Sequence, residues 1–185
     1  MTSWDIERRR REPTLAPILD GKTLRRVLGR FGTGVTVVTV GGPEPHGMTA
    51  NAFSSVSLDP PLVLVCVQRT ANLHNAIHES GSFAVSVLAA HQEREARMFA
   101  NHHRPRVGEF AAVDVTIGPY SAAPVFRDAL AWLECELATV YDGGDHSIFI
   151  GLVQTVGYGT AEEALLFFDG GFRHLAAEVT LPDTA

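Results

Sequence analysis

The residues best suited to hold a planar or phosphorylated ligand lie in one run, His46 to Val67, HGMTANAFSSVSLDPPLVLVCV. Thr49-Ala50-Asn51-Ala52 is followed by Ser54, Ser55 and Ser57, so short hydroxyls, an amide and unobstructed backbone N–H groups stand together. Small side chains let a flat ring lie against the backbone, and short hydroxyls donate to phosphate oxygens without bulk. On a regular strand Ser55 and Ser57 share one face. Val67-Gln68-Arg69-Thr70 then opens a helix over 71 to 79. Its first amides can receive an anion, with Thr70 as cap or ligand and Asn72 and Arg69 as helpers. The same composition also suits an edge strand with a polar face that runs into a core strand.

Outside this run, His146 follows the turn Gly143-Gly144-Asp145 and leads into a strand, and Phe172-Arg173 follows Gly170-Gly171. His102-His103-Arg104 with Arg106 makes a positive patch in a loop. His74 and His78 stand four apart, the spacing of a two-histidine zinc face, but no HExxH or CxxC completes a ligand set, so no metal is expected. No GxGxxG follows a strand, which argues against a Rossmann dinucleotide site. Gly32-Thr33-Gly34 is too short and ends a helix instead of opening one.

Three segments occur in a fixed order: GTGVTVVTV at 32 to 40, the 46 to 67 run, and GDHSIFIGLV from Gly144. Together they resemble the flavin reductase family of FMN-binding split barrels, over roughly residues 20 to 175. The resemblance implies an NAD(P)H:flavin oxidoreductase that reduces FMN or FAD and supplies it to a separate monooxygenase. By the same resemblance Thr49, Ala50, Asn51 and Ala52 face the isoalloxazine. Ser55 is expected at its ribityl or phosphate end, and Ser57, Val67, Gln68, Thr70 and Asn72 are expected among the flavin-binding residues. His146 orients the nicotinamide without taking a proton, and Arg173 borders the pocket. NADH or NADPH would bind transiently over the flavin, in a homodimer. Such chemistry belongs to the cofactors and needs no Ser-His-Asp set or paired carboxylates from the protein. Two alternatives stay open: an oxidoreductase that holds FMN tightly and acts on another substrate, and a non-catalytic flavin- or haem-binding module.

The elements that must position these residues are mostly strands. The sequence predicts a helix capped by Asp20 with Leu24, Val27, Leu28 and Phe31 at helical spacing, ended by Gly32 and Gly34. Strands follow over 35–40, 48–58 and 62–67, with Pro60-Pro61 closing the second. Next come the 71–79 helix with Leu73 and Ile77 on one face, a strand over 83–88, and a charged helix over 91–101 with Ala96, Phe99 and Ala100 inward. A loop over 101–112, a short strand over 113–117, a hairpin of 129–141 with 147–156, and a last strand over 165–168 complete the chain. Many strands with short turns and few helices favour an antiparallel, mainly β fold with some α, in place of alternating βαβ units. The split-barrel topology, Greek-key-like, comes from the resemblance alone.

The 185 residues fit one domain, 45% hydrophobic and 19% charged, with a formal charge of −6 that argues against a general nucleic-acid binder. We expect tails at 1–18, which carries Arg8 to Arg11, and at 179–185, around a domain at 19–178. No apolar stretch reaches the roughly 20 residues that span a bilayer, and the N-terminus lacks the apolar core of a secretory signal. Cys66 and Cys135 are expected as free thiols of a cytoplasmic protein.

Overall fold

The computed structural model describes residues 20–175. The expected tails at 1–18 and 179–185 lie outside them. Asp20 caps α1 (Gly21–Leu28) by accepting from the Thr23 N–H at 2.8 Å, but the helix ends at Gly29, before the glycines expected to stop it. None of its residues is buried: Leu24, Val27, Leu28 and Phe31 are all exposed.

Seven strands form the main sheet, in the order β3-β2-β6-β9-β10-β5-β4. These are β2 (Thr36–Val40), β3 (His46–Ala50), β4 (Phe53–Leu58), β5 (Pro61–Gln68), β6 (Ser82–Val87), β9 (Ala131–Gly143) and β10 (His146–Tyr158). All their pairings are antiparallel. Three short strands make a second sheet, β1 (Thr33–Gly34), β11 (Leu165–Phe168) and β12 (Gly171–His174), and β7 (Val115–Ile117) pairs with β8 (Pro124–Phe126). The mainly β, antiparallel class is as expected. The single strand expected over 48–58 is instead two strands, broken at Asn51-Ala52. Those halves lie at opposite ends of the strand order, so the sheet must curl until its outer strands meet at a two-residue link.

Strands β8 and β12 were not expected. The turn Asp169-Gly170, both residues at positive φ, is the signal for β12. β8 is three residues long and begins at Pro124, which hides it from any periodicity. The hairpin β9–β10 is the longest element pair, and Gly151 on it lies against the core. A Cβ there would stand 2.6 Å from the Phe83 ring and 2.7 Å from Cys135 Cβ.

One core gathers Val38, Val65, Leu73, Ile77, Phe83, Val85, Cys135 and Phe149 inside the curled sheet under α2 (Asn72–Ser80). A second packs Val35, Val37, Leu88, Phe126 and Leu165 against α3 (Glu93–Ala100). α3 buries Ala96 and Phe99 as expected, whereas Ala100 is exposed. A 3-10 turn, Ala90–Gln92, precedes it. Both cysteines are free. Burial, and then the charge of Glu134, push the Cys135 thiol up to about 12, and burial also raises half-buried Cys66. No helix among the described residues is long and apolar enough to cross a membrane.

Gly151→Ala should cost about 1–3 kcal/mol of stability through overpacking against Phe83 and Cys135. Urea unfolding should read this as a lower midpoint with an unchanged slope.

Candidate functional site

β3 carries two concave surfaces along its length. At its start His46, Gly47 and Met48 line a cavity completed by Ala71, Asn72 and Leu73 at the head of α2 and by His102, Arg104 and Arg106 from the 101–112 loop. At its end Thr49 and Asn51 line a cleft with Val35, Ala100, Phe167 and Phe172. At the rise of an extended strand, Gly47 and Asn51 are about 13 Å apart.

The two surfaces differ chemically. The cleft is apolar and aromatic: Phe167 and Phe172 meet edge to face at 5.6 Å, and the Arg97 guanidinium lies 4.8 Å from the Phe172 ring centroid. The Thr49 hydroxyl is already committed, donating to the Ala96 carbonyl at 2.7 Å. Its backbone is placed differently. β3 is an edge strand, and Gly47 turns its N–H and C=O outward, to Glu109 and Arg104. Strand geometry turns the N–H and C=O of Thr49, two residues on, to the same open edge. The cavity is polar and basic. α2 offers its first amides there, with Ala71 as N-cap and no side-chain cap.

Thr70 is thus not the cap that its position suggests. The helix starts at Asn72, and Thr70 is exposed in the preceding turn. Asn72 does line the cavity. Arg69, expected beside it, is turned away. Its backbone N–H donates to the Asp145 carbonyl at 3.0 Å, and its side chain donates to the Gly144 carbonyl at 3.0 Å and to Asp142 Oδ1 at 2.8 Å. Ser55 and Ser57 do not share a face in the simple way expected. A bulge sets Ser55 opposite Val63 and Ser57 opposite Leu62, which are adjacent on β5 and point to opposite faces. Neither serine lines the cavity or the cleft.

Val67 and Gln68 end β5, where they pair with Ser147 and His146 of β10. His146 therefore sits across the ladder from Gln68, just ahead of α2, with Nδ1 2.7 Å from Asp145 Oδ1. Hydrogen bonding and charge from His146 hold the Asp145 carboxyl below the usual range. Asp142 is lowered too, first by the Gly144 N–H and then by Arg69. His146 is half-buried and lines neither surface. Ala50 is buried in β3, with its carbonyl accepting from the Thr36 hydroxyl at 2.7 Å, and Ala52 gives its carbonyl to the Cys66 N–H at 3.0 Å. Arg173 is exposed and folds back so that Nη1 donates to the Phe172 carbonyl, which leaves Phe172 itself at the cleft.

Four site features escaped the sequence. Phe167 and Met48 read only as apolar strand residues. His46 and Glu109 are 63 positions apart, too far for any spacing pattern to join them. His74, weighed only for metal, instead holds Ser147 Oγ at 2.9 Å through Nε2. No group of three or more histidine, cysteine or acidic side chains able to hold a metal occurs among the described residues.

An aromatic cleft and a basic helix head thus stand on one edge strand. Residues 28–176 match the flavin reductase like domain, and the chain belongs to that family. An NADH-dependent FAD reductase of Streptomyces globisporus is 51% identical over 173 residues, covering 90% of this chain and 95% of that protein. The reductase subunit of a flavin-dependent monooxygenase of Rhodococcus jostii is 36% identical over 168 residues, covering 90% and 84%. The solved structure of the Streptomyces globisporus NADH:FAD oxidoreductase, in complex with NAD and FAD fragments, superposes with a TM-score of 0.81 at 50% identity. It covers 92% of this chain and all of that one.

Removing Arg69 should release the β9–β10 turn electrostatically. In Arg69→Ala the Asp142 carboxyl should titrate at higher pH than in wild type, because the cation that favours its charged form is gone. Carbonyl-detected NMR titration of Asp142 reads this, and an unmoved midpoint would refute the coupling.

Proposed function

We propose that this chain is an NADH-dependent flavin oxidoreductase that reduces FAD or FMN and releases it to a separate flavin-dependent monooxygenase. The observation that carries the reading is the pairing, on one edge strand, of an aromatic cleft with a basic helix head. The chain's own groups fit a flavin: the cleft suits a flat ring, and the cavity offers amides and cations to phosphate. The NADH dependence and FAD use of the Streptomyces relative favour that pair over NADPH and FMN. The monooxygenase reductase subunit favours an oxygenase as the consumer.

Flavin, when bound, supplies the acceptor for a hydride from the nicotinamide. The protein's part is binding, orientation and exclusion of water. Phe167, Phe172 and Val35 give the ring an apolar bed. Thr49 offers backbone and Asn51 an amide along the edge, with the Thr49 hydroxyl held out of the way by Ala96, while Ala50 and Ala52, whose carbonyls are taken by Thr36 and Cys66, back them with small side chains. Gln68, Thr70 and Asn72, with the α2 amides, approach the phosphate end. Val67, Ser55, Ser57 and Arg173 lie around these groups and not in the cavity or cleft. His146 meets the nicotinamide by hydrogen bonding, with Asp145 fixing its ring through Nδ1. No proton need be taken from substrate.

The reading extends to a split barrel and a homodimer. The joined outer strands support the first. The exposed apolar stripe of α1, together with exposed Leu58 and Tyr158, supports the second. The reading takes 19–178 as the bounds of a single domain, and the two free thiols suit a cytoplasmic setting.

Aerobic NADH oxidation by the purified protein should rise and saturate with added FAD or FMN. His146→Ala should raise the NADH KM with less effect on the flavin KM. Oxidation that ignores free flavin would point to a tightly held flavin, and unchanged NADH kinetics in the variant would remove His146 from the site.

A further inference from the structure

The 101–112 loop has no regular structure of its own, yet it supplies three of the side chains that line the basic cavity, His102, Arg104 and Arg106. What holds it is a buried carboxylate. Glu109, with its side chain 1% exposed, accepts from His46 Nδ1 at 3.0 Å and from the Gly47 N–H at 3.1 Å, and pairs with the Arg104 guanidinium. Arg104 in turn donates to the carbonyls of Phe99 at 3.1 Å and Asn101 at 3.0 Å and to that of Gly47, and it stacks 4.8 Å from the Phe99 ring centroid. Phe110 follows Glu109 and packs on Phe99 at 5.1 Å. Gly47 permits this packing, because a Cβ would stand 2.9 Å from Phe99 and 3.2 Å from Phe110.

The cluster sorts the cations of the loop. Arg104 is neutralised and tied down, with its side chain only 10% exposed. His102 and Arg106 line the same cavity, are exposed, and form no ion pair among the described residues. Their place over the α2 amides depends on where Arg104 and Glu109 hold the loop between and beside them.

We infer that Glu109 is a positioning residue that sets His102 and Arg106 against the phosphate end of the flavin without touching the flavin itself. This rests on the flavin reductase reading. It assigns the cluster to a particular part of the substrate. Riboflavin has the ring and ribityl chain but no phosphate, so a fault in the loop should be felt by FMN and FAD and not by riboflavin. A merely structural fault would weaken all three alike.

The test is steady-state NADH oxidation by wild type, Glu109→Gln and Glu109→Asp, with riboflavin, FMN and FAD in turn as the varied acceptor. Glu109→Gln keeps the shape but leaves the Arg104 charge buried without its partner. Its KM for FMN and FAD should rise about tenfold, while kcat and the riboflavin KM hold. Glu109→Asp keeps the charge with a shorter reach and should shift the FMN and FAD KM the same way by less. If Glu109→Gln does not fold, Glu109→Asp decides by the same split. An equal rise for riboflavin, or no rise for any acceptor, overturns the inference. Wild type inert with all three flavins would instead overturn the flavin reductase reading beneath it.

Discussion

Asn51 and Ala52 must join strands that lie at the two ends of a seven-stranded order. That short link is the constraint from which the rest follows. Sheets twist with one hand, and a sheet of this width whose ends are tied must curl. The curl encloses the core of Val38, Val65, Phe83 and Phe149. It also leaves β3 as an edge whose outer backbone groups have no ladder partner. An open edge is ordinarily a hazard for aggregation. Here the head of α2, the 101–112 loop and the β11–β12 hairpin crowd around it and leave the cavity and the cleft between them.

The division of labour along β3 follows from strand geometry. Successive residues face alternate sides, so the strand can seal the core with Ala50 while its neighbours address the groove. Polar demands at the start of the strand are met by the Glu109 cluster, and apolar ones at its end by Phe167 and Phe172. A catalyst that moves a hydride between two bound rings needs this kind of bed and little else. The lack of an acid–base pair in the motif run is therefore consistent with enzymatic work.

Much of this was legible in the residues. Gly143-Gly144 between apolar runs marked the β9–β10 hairpin, Pro60-Pro61 marked the end of β4, and Leu73 with Ile77 marked the buried face of α2. The HGMTANAF run fell on the edge strand that borders both concave surfaces. What failed were features that arise only when distant parts meet. The bulge that separates Ser55 from Ser57 is set by pairing with β5, not by local composition. Thr70 had the chemistry of a cap but lies one residue too early, and Ala71 occupies that place instead. The two basic residues read as one patch, Arg104 and Arg106, turn out to have opposite employments, because a glutamate from the same loop folds back onto only one of them.

The two thiols add a consequence of a different kind. Reduced flavin reacts with oxygen and yields peroxide, so a protein that makes it works beside an oxidant. Peroxide attacks the thiolate and hardly the thiol. Cys135 is sealed in the core with its proton held up to about 12, and the half-buried Cys66 is shifted in the same direction. Burial thus disfavours the reactive thiolate at both sulfurs. The packing that shapes the sheet's core thereby gives the protein a chemical durability suited to its own by-product.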